Sequence, residues 1–244
     1  MARQLGLFGA PGLDFSAERA LAAGLPPHVS FGTSSWTFPG WGNLVYPPGT
    51  TEADLLERGL ELYVRHPLFT TVGIDRSYYA PLDRSTLKRY AEQLPPGFRA
   101  VMKVWNAITQ AVDPKTREPN PRFLSVDCVV ERVLGPIDDA FAEHAGPLVF
   151  EFPPLRRREL PEPRAFADRL GEFFAKLPRQ LSYAVELRNP ELLSHGYLEV
   201  LAQHGVGHVL NFWQRMPDIG AQLDVPGVLP APFVVARLLI PPGQ

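Results

Sequence analysis

Seven polar side chains stand out because each interrupts or closes an apolar segment. Asp75 follows Val72-Gly73-Ile74, Lys103 follows Ala100-Val101-Met102, and Glu151 follows Leu148-Val149-Phe150. Glu186 follows Ala184-Val185, with Arg188 two residues on; Asn211 follows Val209-Leu210, and Arg237 follows Val235-Ala236. In an extended chain a spacing of two puts Glu186 and Arg188 on one face. An ionisable group in a buried strand must be paired or functional. Glu186 and Glu151 form the best carboxylate pair, one suited to act as acid and the other as base. Glycosidases use two carboxylates in this way. Lys103 would suit a Schiff-base nucleophile in apolar surroundings. These three are the candidate catalytic residues.

Arg188 and Arg237, with Lys103, suit a phosphate, sulfate or carboxylate on a ligand. Aromatic residues close several of the same apolar segments: Trp36 and Trp41 around the end of the first, then Tyr78 and Tyr79, Trp105 and Trp213. Charges ringed by aromatics suit a ligand with a flat or sugar-like face. The candidate ligand-binding set is Arg188, Arg237, Ser34, Trp36, Asp75, Tyr79, Asn211 and Trp213. Phe38 and Tyr46 read as packing residues. The competing reading is a self-neutralising network, in which Lys103, Arg188 and Arg237 balance Asp75, Glu151 and Glu186. A long loop, Asn106–Ser125, carries Lys115, Arg117 and Arg122, which would either guide an anion or lie solvated.

Other chemistries are weaker. The six histidines show no His-Glu-x-x-His spacing, and only His195 is placed to reach the same end of the fold. No metal site and no cofactor are assigned; a metal held by carboxylates alone is the remaining metal alternative. No Gly-x-Ser-x-Gly elbow surrounds Ser34, Ser35 or Ser77. Cys128, between apolar neighbours, reads as a structural thiol.

The elements that must position these groups follow from the patterning. Seven segments read as buried strands: Val29–Trp36, Thr70–Tyr79, Phe98–Trp105, Leu148–Phe152, Ser182–Arg188, Val206–Trp213 and Phe233–Ile240. Helical spacing runs through Leu55–Tyr63, Leu87–Leu94 after an Asp83 cap, Val126–Glu143, Pro163–Leu177 and Gly196–His204. Alternation of strand and helix implies parallel strands with crossover helices. The expected fold is therefore α/β, a TIM-barrel-like (β/α)8 fold that lacks its last helix and strand in this chain. An open doubly wound sheet is the alternative, although Gly32-Thr33-Ser34-Ser35-Trp36 is not a dinucleotide fingerprint. Residues 1–28 read as an N-terminal extension and 29–244 as the barrel domain, with an incomplete C-terminal end. In such a barrel the polar residues above fall at the C-terminal mouth.

Composition bounds the rest. The chain has 244 residues, 45% of them hydrophobic, which excludes global disorder. A formal net charge of -2 argues against a protein that mainly grips nucleic-acid backbone. One cysteine excludes an internal disulfide framework and suits a reducing, cytoplasmic compartment. No apolar run approaches bilayer length. The expected partner is a small polar or anionic ligand, with no membrane; the oligomeric state is left open.

Six segments, in order, carry a family resemblance. Phe31-Gly32-Thr33-Ser34-Ser35-Trp36 with Pro39, Trp41 and Tyr46-Pro47 comes first, then Ile74-Asp75-Arg76-Ser77-Tyr78-Tyr79. Ala100–Val104 with Ile108-Thr109, Leu148–Pro154, Ala184–Arg188 and Val235-Ala236-Arg237 follow. Together they resemble the domain-of-unknown-function 72 family of YecE-like barrels. The resemblance spans roughly residues 29–240; it implies a (β/α) barrel and no established reaction. The chain departs from the family pattern at three positions. Gly73 stands where the family usually has Glu, Asp75 where it has Asn, and Glu151 where many members have Gln.

Two functional readings remain. One is a hydrolytic or isomerising, metal-independent enzyme using Glu186 and Glu151 with Lys103 and Arg188. The other is a non-catalytic barrel that binds a ligand or single-stranded nucleic acid.

Overall fold

The computed structural model describes residues 13–239. Residues 1–12 of the expected extension, Ile240 at the end of the last expected strand, and the C-terminal end lie outside them. Helix α1 (Ser16–Ala23) comes first, and Phe15 at its start packs edge-on to His66. Helix α2 (Glu52–Tyr63) begins at a reciprocal cap between Thr51 and Asp54. Strand β1 (Thr71–Ile74), helix α3 (Arg84–Ala91) and strand β2 (Arg99–Lys103) follow. The Asp83 side chain accepts from the Thr86 N–H and starts α3 where the sequence placed it.

The expected single helix over Val126–Glu143 is broken. It comprises α4 (Val126–Val129), a π-turn (Val130–Leu134) and α5 (Gly135–Ala140). Pro136 lacks an N–H and crowds the preceding turn, and the wide turn ends just before it. Strand β3 (Ala145–Glu151), α6 (Pro163–Phe174), β4 (Tyr183–Glu186), α7 (His195–His204), β5 (Gly207–Asn211), α8 (Ile219–Leu223) and β6 (Val235–Arg237) complete the described chain. Gly205 ends α7 in the left-handed region, where a side chain would be strained.

The six strands form one curled parallel sheet in the order β1-β2-β3-β4-β5-β6, a half-barrel with helical crossovers. Seven strands were expected, and the first of them is corrected. Val29–Trp36 lies beside β1 but makes only one parallel bridge, Phe31 to Phe69. Its carbonyls still accept from β1, Phe31 from the Thr71 N–H and Thr33 from the Gly73 N–H at 2.7 Å, but the Thr33 N–H donates to the Tyr63 hydroxyl at 2.9 Å instead of to β1. The eight-stranded closure is likewise not found among the described residues.

The two faces of the sheet differ. Ala100, Met102, Leu148, Phe150, Tyr183, Val185 and Leu210 join the main core under the helices. The alternate positions face the concave side. There Val149, Ala184, Val209 and Val235 form a second apolar cluster with Val101 and Phe233. This layer is a floor. Each residue two positions further along its strand is polar: Lys103, Glu151, Glu186, Asn211 and Arg237. Parallel register sets Glu151 opposite Glu186 and Asn211 opposite Arg237, while Lys103 stands opposite Val149, one inward position lower.

Candidate functional site at the C-terminal strand ends

Four of these side chains, Lys103, Glu151, Glu186 and Arg237, close with Asp75 and Arg188 into a six-membered ring of alternating charge. Lys103 Nζ lies 3.2 Å from Asp75 Oδ2 and 2.7 Å from Glu151 Oε2. Arg188 Nη2 lies 3.1 Å from Glu151 Oε2 and 2.7 Å from Glu186 Oε1. Arg237 Nε lies 3.2 Å from Glu186 Oε2, and its Nη1 and Nη2 donate to the two Asp75 oxygens at 3.2 and 2.8 Å. The ring sums to zero: three cations alternate with three carboxylates. An apolar floor beneath it excludes water, which strengthens each pairing and raises the cost of breaking one.

The two opposed carboxylates are unequal. Burial drives the Glu186 carboxyl up to about 7, against the pull of Arg237 and with a push from the Glu151 charge. Glu151 also meets a burial penalty, but Lys103 and Arg188 outweigh it and hold this carboxyl below its usual range. Geometry runs the same way. Arg188 Nη2 donates a well-formed hydrogen bond to Glu151. Glu186 is 0% exposed, and its oxygens sit at ion-pair distance from both arginines without hydrogen-bond alignment.

Lys103 is salt-bridged on both sides, which suits a fixed counter-ion better than the free amine that imine formation needs. Its Nζ also lies 5.2 Å from the centre of the Tyr78 ring. The Arg188 guanidinium carbon lies 4.3 Å over the Trp213 ring. Asn211 is buried, its amide donating to the Leu187 carbonyl at 3.0 Å.

Three expected ligand residues are not brought to the ring. Trp36 is 5% exposed and packs edge-on to Tyr90, and the Tyr46 hydroxyl donates to its carbonyl; it is a core residue. Ser34 lies with its backbone against Gly73, and its side chain makes no hydrogen bond to a ring member among the described residues. Tyr79 is 76% exposed and points away, whereas Tyr78 meets Lys103. The second expected strand does not continue to Tyr79; it ends at Ile74 and tightens into a 3₁₀ turn, Asp75–Tyr78. In that turn residues three apart share a side, so Asp75 and Tyr78 face together. Ser77 locks the turn by donating to the Ile74 and Lys103 carbonyls, both at 2.6 Å. Nothing in the apolar spacing signalled a turn there.

The long loop after β2 is built rather than loose. Asn120 Nδ2 donates to the Ala107 and Gln110 carbonyls, both at 2.7 Å. Arg122 lies over Trp105, and Arg117 pairs with Glu159 of the next loop. His195 pairs with Glu199 on the outside of α7 and stays away from the ring. Among the described residues, no three His, Cys, Asp or Glu side chains are grouped to hold a metal ion. No described helix is long and apolar enough to cross a membrane.

A curled parallel sheet carrying a polar ring at the C-terminal strand ends defines an α/β half-barrel. The family model described as "Protein of unknown function DUF72" matches residues 30–242, and the chain belongs to this family. Two solved structures of DUF72 family proteins are similar in fold. One, from Thermotoga maritima MSB8, has 18% identity and a TM-score of 0.57, over 86% of this chain and 74% of that one. Another, from Enterococcus faecalis V583, has 16% identity and a TM-score of 0.54, over 85% of this chain and 69% of that one. No curated protein matches the chain.

Gly73, where the family resemblance leads one to expect Glu, has a steric reason in this chain. A Cβ there would meet the Ser34 Cα at 2.9 Å and the Thr33 carbonyl oxygen at 3.2 Å. The charge is supplied two residues later, by Asp75.

Proposed function

We propose that this chain is an enzyme acting on a small polar or anionic ligand by acid/base chemistry at the C-terminal strand ends. The supporting observation is the opposed pair Glu151 and Glu186, which share register and burial but are pushed to opposite protonation preferences. Environments that separate two carboxylates in this way mark acid and base assignments. Glu186 is the group that gives and takes the proton near neutrality. Glu151 stays ionised, as base or as a stabiliser of developing positive charge. Lys103 fixes Glu151, and Arg188 and Arg237 flank Glu186. The reaction class that fits is hydrolysis or isomerisation without a metal. In this reading the half-barrel is part of a TIM-like fold, whose chemistry sits at this end.

The test is turnover on a panel of p-nitrophenyl glycosides, p-nitrophenyl phosphate and free aldoses. Glu186→Gln should lower any turnover found by about 100-fold while the far-UV spectrum is kept. Unchanged turnover in that variant sinks the assignment.

A second reading is favoured by the completeness of the ring. Every charged member has partners of opposite sign on both sides, as a self-neutralising structural network would. On that reading no panel member is turned over, and Glu186→Gln lowers stability at every pH.

A further inference from the structure

Arg188 commits one of its three nitrogens to the ring. Nη2 serves both Glu151 and Glu186. Nε and Nη1 are buried and have no acceptor among the described residues, and the whole residue is 4% exposed. The Trp213 indole under the guanidinium is in the same state: its Nε1 is buried without an acceptor. A buried N–H without an acceptor pays its full desolvation penalty with nothing in return. Three such donors on two stacked side chains call for a group with acceptor oxygens. The flat, forked guanidinium suits a carboxylate or another oxyanion.

Charge counting then adds a condition. The ring is already neutral, so an oxyanion brought against it leaves a buried net negative charge. An unpaired buried charge is costly, and one proton taken up with the anion removes it. Three carboxylates compete for that proton. Asp75 accepts both terminal nitrogens of Arg237, and Glu151 accepts from Arg188 in good geometry next to Lys103. Glu186 alone has no aligned donor on either oxygen. The groups that face it are Lys103 from β2, Glu151 from β3, Arg188 beyond β4, Arg237 from β6 and Tyr78 from the turn after β1. Asp75 acts on it through the shared Arg237.

We propose that Arg188 and the Trp213 indole N–H form an oxyanion subsite, and that above neutrality each oxyanion bound there brings one proton onto Glu186. This rests on the ring being a ligand site, and it states what that site recognises. The proton comes from solvent, and no covalent bond forms or breaks.

The test is calorimetric titration of the full chain with glycolate between pH 6 and 8.5, in pairs of buffers with different ionisation enthalpies. The wild type should take up close to one proton per glycolate at pH 8. Its affinity should fall about tenfold per pH unit above neutrality. The uncharged analogue glycolamide should bind about tenfold more weakly than glycolate at pH 6. Glu186→Gln should bind glycolate at pH 8 as tightly as the wild type does at pH 6, with no proton uptake. Trp213→Phe keeps the ring under Arg188 and removes the N–H; it should weaken glycolate about fivefold and leave the pH slope intact. Proton uptake of zero with glycolate bound overturns the inference, as does an unchanged pH slope in Glu186→Gln; the ligand-site reading would survive either result. Failure of glycolate to bind at any pH overturns the subsite, and the turnover panel then decides the acid/base reading separately.

Discussion

Asp75 and Arg237, 162 positions apart, meet in a two-pronged ion pair that joins the end of the first strand to the last. These strands are not hydrogen-bonded to each other; they are the two ends of the sheet order. The contact therefore reports how far the sheet has curled. Its curl brings side chains from four strands, from the turn after β1 and from Arg188 just beyond β4 into one ring.

Asp75→Asn removes the charge that holds Arg237 and Lys103 at this junction. Asp75 is only partly buried, so the loss should be moderate, about 2 kcal/mol. Urea unfolding at pH 7 measures it. A variant as stable as the wild type would mean that the junction contributes no net energy.

Glu186 should make stability fall as pH rises. Its carboxyl is raised in the fold relative to the unfolded chain, so its contribution is full below the unfolded value and is lost as pH rises through about 7. Glu186→Gln should thus be more stable than the wild type at pH 8, by roughly 3 kcal/mol, with the gap closing by pH 5. Thermal or urea unfolding at the two pH values reads this directly. Lower stability of the variant at both supports a structural ring.

His208 should act in the opposite sense. It is buried between β5 and α7, where its Nδ1 meets the Tyr197 hydroxyl at 3.0 Å. Burial lowers its titration to about 4, which the nearby Gln222 amide only partly offsets. Stability from the neutral ring is present above the unfolded value near 6.5 and is lost as pH falls toward 4. The loss should reach about 3 kcal/mol, and it should flatten in His208→Asn. The same pH dependence in both proteins would assign the acid sensitivity to other groups.

Gly73→Ala should destabilise the chain by about 1–3 kcal/mol, because the added Cβ meets backbone of the 33–34 segment rather than a yielding side chain. Gly73→Glu should cost more, because its longer side chain starts from the same clash with the 33–34 backbone. Equal melting temperatures for Gly73→Ala and the wild type would show that the segment moves aside freely.

Much of this was legible in the sequence. Val101-Met102-Lys103, Val149-Phe150-Glu151 and Val209-Leu210-Asn211 each repeat apolar, apolar, polar at a strand end, and period-two alternation alone places the polar residue above an apolar one. The cap at Asp83 also carried its own chemistry. Failures occurred where backbone hydrogen bonding was decided by distant partners. Phe31–Ser35 has strand composition, but the Tyr63 hydroxyl takes the Thr33 N–H that a ladder to β1 would have used. Trp36 beside a polar run suggested a ligand surface, yet Gly59 opens the space that takes its ring into the core.

Local order thus determined which side chains reach the strand ends, because alternation along an extended chain is a property of neighbours. Only the tertiary fold decided that Tyr78 rather than Tyr79 joins them, and that Glu186 and Glu151 differ in protonation. Those outcomes depend on burial and on charges contributed by strands far apart in the chain, and nearest-neighbour pattern carries no information about either.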